Sequence, residues 1–166
     1  MKKHAKKIAA GIVLVLLAAA GFTVCKSAKQ DTTDYGKQPW IVDIEQATLE
    51  NSHFRVARWT GSTLQMTLMS LKPGEEIGLE VHHGMDQFIR IEKGKGRVVM
   101  GLDPETLNFD KEVSDDWAIF IPGGYWHNVI NTGRGELKLY SIYGPPEHPA
   151  GTLHATPEDD DHHHGH

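Results

Sequence analysis

In the stretch Gly74-Glu75-Glu76-Ile77-Gly78-Leu79-Glu80-Val81-His82-His83-Gly84-Met85-Asp86-Gln87, apolar and polar residues alternate. Ile77, Leu79 and Val81 take the odd positions of 76–82, and Glu80 and His82 take even ones. Alternation with period two predicts a strand that puts the Glu80 carboxylate and the His82 imidazole on one face. Gln87 opens the next strand-like run, and His127 lies two residues before Val129 on a distant one. An unpaired carboxylate is costly to bury, so an inward Glu80 beside imidazoles needs compensation. A metal ion supplies it, because imidazole nitrogen and carboxylate oxygen suit zinc, manganese, iron and nickel.

Outward from this stretch the same short period continues. Residues 63–71 alternate, with Leu64, Met66 and Leu68 on one face and Gln65 and Thr67 on the other. In 87–92, Gln87, Ile89 and Ile91 oppose Phe88, Arg90 and Glu92. Further runs are expected at 97–102, 117–121, 126–131 and 136–143. Lys72-Pro73-Gly74, Lys93-Gly94-Lys95-Gly96, Pro122-Gly123-Gly124 and Thr132-Gly133-Arg134-Gly135 punctuate them. A short turn of helix is expected at 44–50 and little other helical period elsewhere. Many short strands with turn signals at this spacing predict an all-β, antiparallel sandwich or barrel.

These spacings resemble the cupin superfamily. Gly74 is followed by five residues, Glu80-Val81-His82, four residues, Gln87, six residues and Gly94. That is similar to the first cupin motif, which carries His-x-His and then Glu. Asp116 is followed by five residues, Pro122-Gly123-Gly124, Tyr125-Trp126, His127, three residues and Asn131, similar to the second motif. Three positions differ: Glu80 stands for the usual first histidine, Gln87 for the usual glutamate, and Asp116 for an opening glycine. The resemblance covers 62–143 and implies a single-domain cupin, a double-stranded β-helix or jelly-roll barrel. It also implies one divalent metal (Mn, Fe, Zn or Ni) on Glu80, His82, Gln87 and His127. Gly78-Leu79-Glu80-Val81-His82-His83 and Tyr143-Gly144-Pro145-Pro146-Glu147-His148-Pro149 resemble a bacterial group described as mannose-6-phosphate isomerase-like cupins.

The expectation from that resemblance is an enzyme of isomerase or lyase type acting on a small oxygen-rich molecule such as a sugar, uronate or organic acid. Its metal would act as a Lewis acid. Tyr140, Tyr143 and His148 are the candidate catalytic residues for proton transfer, with His154 on a segment able to fold back. His83 follows the ligand strand and should point away. Two other expectations stand beside it: an iron-dependent, dioxygenase-like cupin, since Glu80, His82 and His127 resemble a 2-His-1-carboxylate set, and a non-catalytic, metal-stabilised binding module at the cell surface.

The ends of the chain read differently. Lys2, Lys3, Lys6 and Lys7 precede the uncharged run 8–24, so 1–25 is expected to be a signal peptide or membrane anchor. Ala18, Ala19 and Ala20 offer a cleavage site, and Cys25, the lone cysteine, a lipidation site. The domain is then exported, periplasmic or on the outer face of the cytoplasmic membrane, touching membrane through this segment where it is uncleaved or lipidated. Residues 26–39 read as a polar linker, 40–145 as the cupin domain, and 146–166 as a Pro-rich, then Asp/His-rich tail whose closing tract, 159–166, is solvated. At 166 residues there is room for one domain, and a net charge of −5 argues against nucleic acid as a partner. The row Ile77, Leu79, Val81, taken as outward, predicts a homodimer.

Overall fold

Turn residues at strand ends cut the chain into ten strands and two short helices in a computed structural model that describes residues 30–161. The expected signal or anchor at 1–25, Cys25 and the final histidines lie outside the described residues. In chain order the elements are α1 (Ile44–Glu50), β1 (Arg55–Thr60), β2 (Gln65–Leu71), β3 (Glu80–Val81), β4 (Asp86–Lys93), β5 (Lys95–Gly101), β6 (Phe109–Ser114), β7 (Ala118–Ile121), β8 (Trp126–Asn131), β9 (Leu137–Gly144), β10 (Leu153–His154) and α2 (Glu158–Asp161). A six-stranded sheet runs β10-β1-β2-β9-β4-β7, and a four-stranded one runs β3-β8-β5-β6. All named pairings are antiparallel. This is the expected jelly roll.

The two sheets close on a core that includes Ile89, Ile91, Leu139, Val98 and Val129. Gly94 joins β4 to β5 and so carries the chain from one sheet to the other. Its φ is +102°, and a Cβ there would sit 2.8 Å from the Glu136 carbonyl oxygen. Only glycine fits both conditions. Asp116, where a cupin-like motif has glycine, also has a positive φ of 68°. Aspartate tolerates that left-handed conformation better than most residues, and its carboxylate accepts from Arg90 Nη2 at 2.6 Å.

The alternation in β2 is real, but both of its faces are covered. Met66 and Leu68 face outward with Val56 and Tyr140, beneath Trp40, Ile44, Ala47 and Trp59. Gln65 and Thr67 face the barrel interior. Helix α1 starts on an Asp43 cap, whose side chain accepts from the Gln46 amide at 3.0 Å. Seven residues are too few for an isolated helix, so its packing on the sheet holds it.

Three expectations need correction. Ile77 does not share a face with Leu79 and Val81: it lies in the core, while Leu79 is exposed. Gly78, at φ +104°, shifts the phase of the chain between them. The Ile77 amide donates to the Val129 carbonyl, and that of Gly78 to Asn128 Oδ1. The apolar row on which a homodimer was predicted is therefore not one surface. Second, the described part of the polar linker is docked on the barrel. Arg58 binds the carbonyls of Asp31 and Thr33, and the Asp34 carboxylate accepts from the amides of Gly36, Thr60 and Gly151 and from Thr60 Oγ1.

Third, the start of the closing Asp/His tract is folded, since α2 takes in 159–161. The Ala57 amide donates to the Thr152 carbonyl, and β10 pairs with β1. The Asp160 carboxylate meets the fully buried Arg55 guanidinium. A buried cation needs such a partner, and the hydrophobic pattern of β1 gives no hint of it.

Candidate metal centre

The ladder between β3 and β8 sets Glu80 directly opposite His127, and His82 follows two residues after Glu80. The Glu80 Oε1 atom lies 3.2 Å from His127 Nε2 and 3.3 Å from His82 Nε2. The three ligand-type atoms fall within 4.8 Å of one another. Both histidines are buried, and Glu80 is nearly so.

The outer nitrogens of the two rings fix what the inner ones present. His127 Nδ1 is 2.9 Å from the Tyr125 carbonyl oxygen. A carbonyl can only accept, so Nδ1 carries the hydrogen and Nε2 offers a lone pair. His82 Nδ1 lies 3.5 Å from Glu147 Oε1, an orienting carboxylate on the far side of that ring. Metal-binding histidines are commonly held this way, by a carbonyl or carboxylate on the other nitrogen. Glu80 Oε1, His82 Nε2 and His127 Nε2 are all buried and make no hydrogen bond among the described residues. Lone pairs converging on one point need a proton or a metal ion between them, and two imidazoles with one carboxylate are a donor set that fits a divalent metal.

Electrostatics agree. Burial works against a charged Glu80, but His127, His82 and the Arg55 guanidinium hold its carboxyl well below the usual range. Burial likewise opposes a charged His82, yet Glu147 and Glu80 push its pKa up to about 9. Both shifts share a cause, the attraction between the Glu80 carboxylate and positive charge placed beside it.

The other predicted residues divide. Gln87 is buried on the inner face of β4, and its Nε2 donates to Ser141 Oγ at 2.9 Å. Its Oε1 is then a buried acceptor with no partner among the described residues. Gln87 sits opposite Tyr143 across the β4–β9 ladder, and the Tyr143 ring meets His82 edge-on at 5.8 Å. His148 also meets the Tyr143 ring edge-on, at 5.3 Å. Gln65 grips His148 through the backbone, accepting from its amide and donating to its carbonyl. Tyr140 is elsewhere: it belongs to the outer cluster with Phe88, on the opposite face of the sheet. His83 is exposed, as alternation predicts. His154 is buried beside Asp160, with 2.9 Å between Nδ1 and Oδ1.

Glu147, Arg55 and Gln65 had not been singled out from the sequence. Glu147 carried one signal, a carboxylate beside His148 between prolines in a segment already suspected of folding back. Arg55 and Gln65 carried none, since polar residues in a strand ordinarily face solvent.

Comparison with known proteins is consistent with this geometry. The model of the Cupin domain matches residues 67–143. The uncharacterized protein YrkC of Bacillus subtilis is 58% identical over 126 residues, 76% of this chain and 68% of that protein. An uncharacterized protein of Acanthamoeba polyphaga mimivirus is 39% identical over 117 residues, 70% of this chain and 71% of its own. A crystal structure from Bacillus halodurans is similar at 55% identity and a TM-score of 0.78, covering 78% of this chain and 98% of the other.

Proposed function

Because this chain belongs to the cupin superfamily, we propose that its barrel holds one divalent metal on Glu80, His82 and His127, with Gln87 Oε1 as a fourth ligand. The observation that carries this is the trio of buried ligand-type atoms aimed at one point, with no hydrogen-bond partner among the described residues. On this reading the protein is a metal-dependent enzyme of isomerase or lyase type, acting on a small oxygen-rich molecule. A bound ion supplies a Lewis acid for a carbonyl or hydroxyl oxygen.

Tyr143 and His148 are the proton-handling residues of this proposal. Burial raises the Tyr143 hydroxyl, which keeps its proton. Burial and then the Arg55 charge push His148 down to about 3, so its imidazole stays neutral and is a weak base, suited to relaying a proton rather than holding one. Its Nε2 is buried without a hydrogen-bond partner among the described residues. Tyr140 is withdrawn from this role by its position on the outer face.

The test is turnover of a panel of sugars, uronates and organic acids by the metal-loaded protein. Loss of turnover in His148→Ala with metal retained supports the role given to His148. Metal binding without turnover of any member would leave a metal-stabilised binding module instead. The two-histidine, one-carboxylate set also favours a second reading, an Fe(II) site that consumes oxygen, which oxygen uptake separates from isomerase or lyase chemistry. Export stays part of the proposal, resting on the Lys-rich start and the uncharged run 8–24. Fractionation that finds the intact chain soluble in the cytoplasm would remove it.

A further inference from the structure

A cavity of about 430 Å³ opens between the edge strands β6 and β7. Small-molecule sites commonly span about 300–1,000 Å³. Its floor is core: Met100 and Ile119 are buried. Its rim is aromatic, with Trp117 52% and Phe120 72% exposed. Side chains this large and apolar, gathered at the mouth of a cavity, are not an ordinary surface feature.

One cation breaks the apolar lining. Alternation in β6 turns Asp110 and Glu112 outward, and Asp110 pairs with Arg97. It turns Phe109, Lys111 and Val113 toward the cavity, which all three line. Lys111 makes no ion pair among the described residues. An ammonium over an apolar, aromatic cleft complements a molecule with a ring system and one negative charge. A sugar fits poorly, since each hydroxyl buried without a partner costs about 1–3 kcal/mol.

The cavity also borders the metal centre. Met100 faces His127 across the β5–β8 ladder, and the cavity-lining Tyr125 supplies the carbonyl that accepts from His127 Nδ1. We propose that this cavity binds an aromatic monocarboxylate, with its ring between Trp117 and the Met100–Ile119 floor and its carboxylate on Lys111. The end of the molecule away from the carboxylate then lies toward the wall shared with His127. Binding stands by itself; only its role as substrate rests on the metal reading above, where it selects the organic acids.

Titration of the purified chain with 2-naphthoate and with uncharged 2-naphthalenemethanol tests this, read by calorimetry and by quenching of Trp117 against a Trp117→Phe control. Naphthoate should bind about fivefold tighter than the alcohol, the scale of one partly exposed charge pair. Lys111→Gln should erase that difference while leaving the alcohol unchanged. No binding of either probe at millimolar concentration overturns the proposal, and so does equal binding in the unmodified chain. A dimer that Phe120→Glu dissociates, with no naphthoate binding, would assign the face to a second copy. In His82→Ala naphthoate should still bind, so metal loss in that variant bears on the metal reading alone.

Discussion

Glu80 and His127 are register partners across the β3–β8 ladder, and the Glu80 carboxylate also reaches His82, the next inward residue of its own strand segment. One acid thus faces two imidazoles. Neither ring nitrogen hydrogen-bonds it, and all three atoms are buried. The cheapest way to relieve that arrangement is a cation at its centre.

Glu147 is expected to tune the site from behind His82. Glu147→Gln should weaken metal affinity by about tenfold, the lower end for an outer partner of a ligating histidine. The melting temperature of the metal-free protein should barely change. Unaltered affinity in a metal-buffered competition would mean that the 3.5 Å contact does not orient the ring.

Glu80 and Gln87 should compensate one another. A carboxylate at Glu80 and an amide at Gln87 give the same ligand charge as the usual histidine and glutamate of cupin motifs. Glu80→His alone leaves no anionic ligand and should bind a divalent ion more weakly, since ligand charge contributes to affinity. Adding Gln87→Glu should recover it. If the double variant binds no better than Glu80→His, the two positions do not share one ion.

The fold of the tail has its own test. Asp160→Asn leaves the buried Arg55 guanidinium without its anion and should cost about 3 kcal/mol in urea unfolding, as for other broken buried pairs. An unchanged midpoint would contradict the docked position of α2.

Acid should loosen the N-terminal segment. Burial opposes a charged Asp34, but Thr60, Gly151 and Gly36 bond its carboxylate and lower its pKa. A carboxyl whose pKa is lower folded than unfolded stabilises fully above its unfolded value, near 3.8. That contribution fades as pH falls through the folded value. Asp34→Ala should therefore cost about 2 kcal/mol at pH 7 and progressively less below pH 4. A cost independent of pH would contradict this.

Period-two alternation made most of the strands legible, as did the turns at Gly94 and at Pro122-Gly123-Gly124. The face that each strand buries was harder to read. In β2 the polar Gln65 and Thr67 line the interior while Met66 and Leu68 face outward, because α1 and Trp40 cover that side. Alternation separates two faces without naming the inner one. At 76–82 it failed locally, since Gly78 turns Ile77 inward. Position 116 shows the opposite case: the motif departed from glycine, yet Asp116 keeps the left-handed backbone. Glu80, His82 and His127 were legible because acid and imidazole interrupt apolar runs. Glu147 and Arg55 were not, because they reach the interior through a segment after the barrel and through a buried ion pair.

Metal content after gel filtration tests the central claim most directly. The protein should first be shortened after Asp161, which removes His162, His163, His164 and His166 but keeps Asp160 on Arg55. Elemental analysis should then find about one divalent ion per chain, and none in His82→Ala or His127→Ala, with both variants still folded by circular dichroism. Equal metal in the shortened protein and in both folded variants would contradict the account.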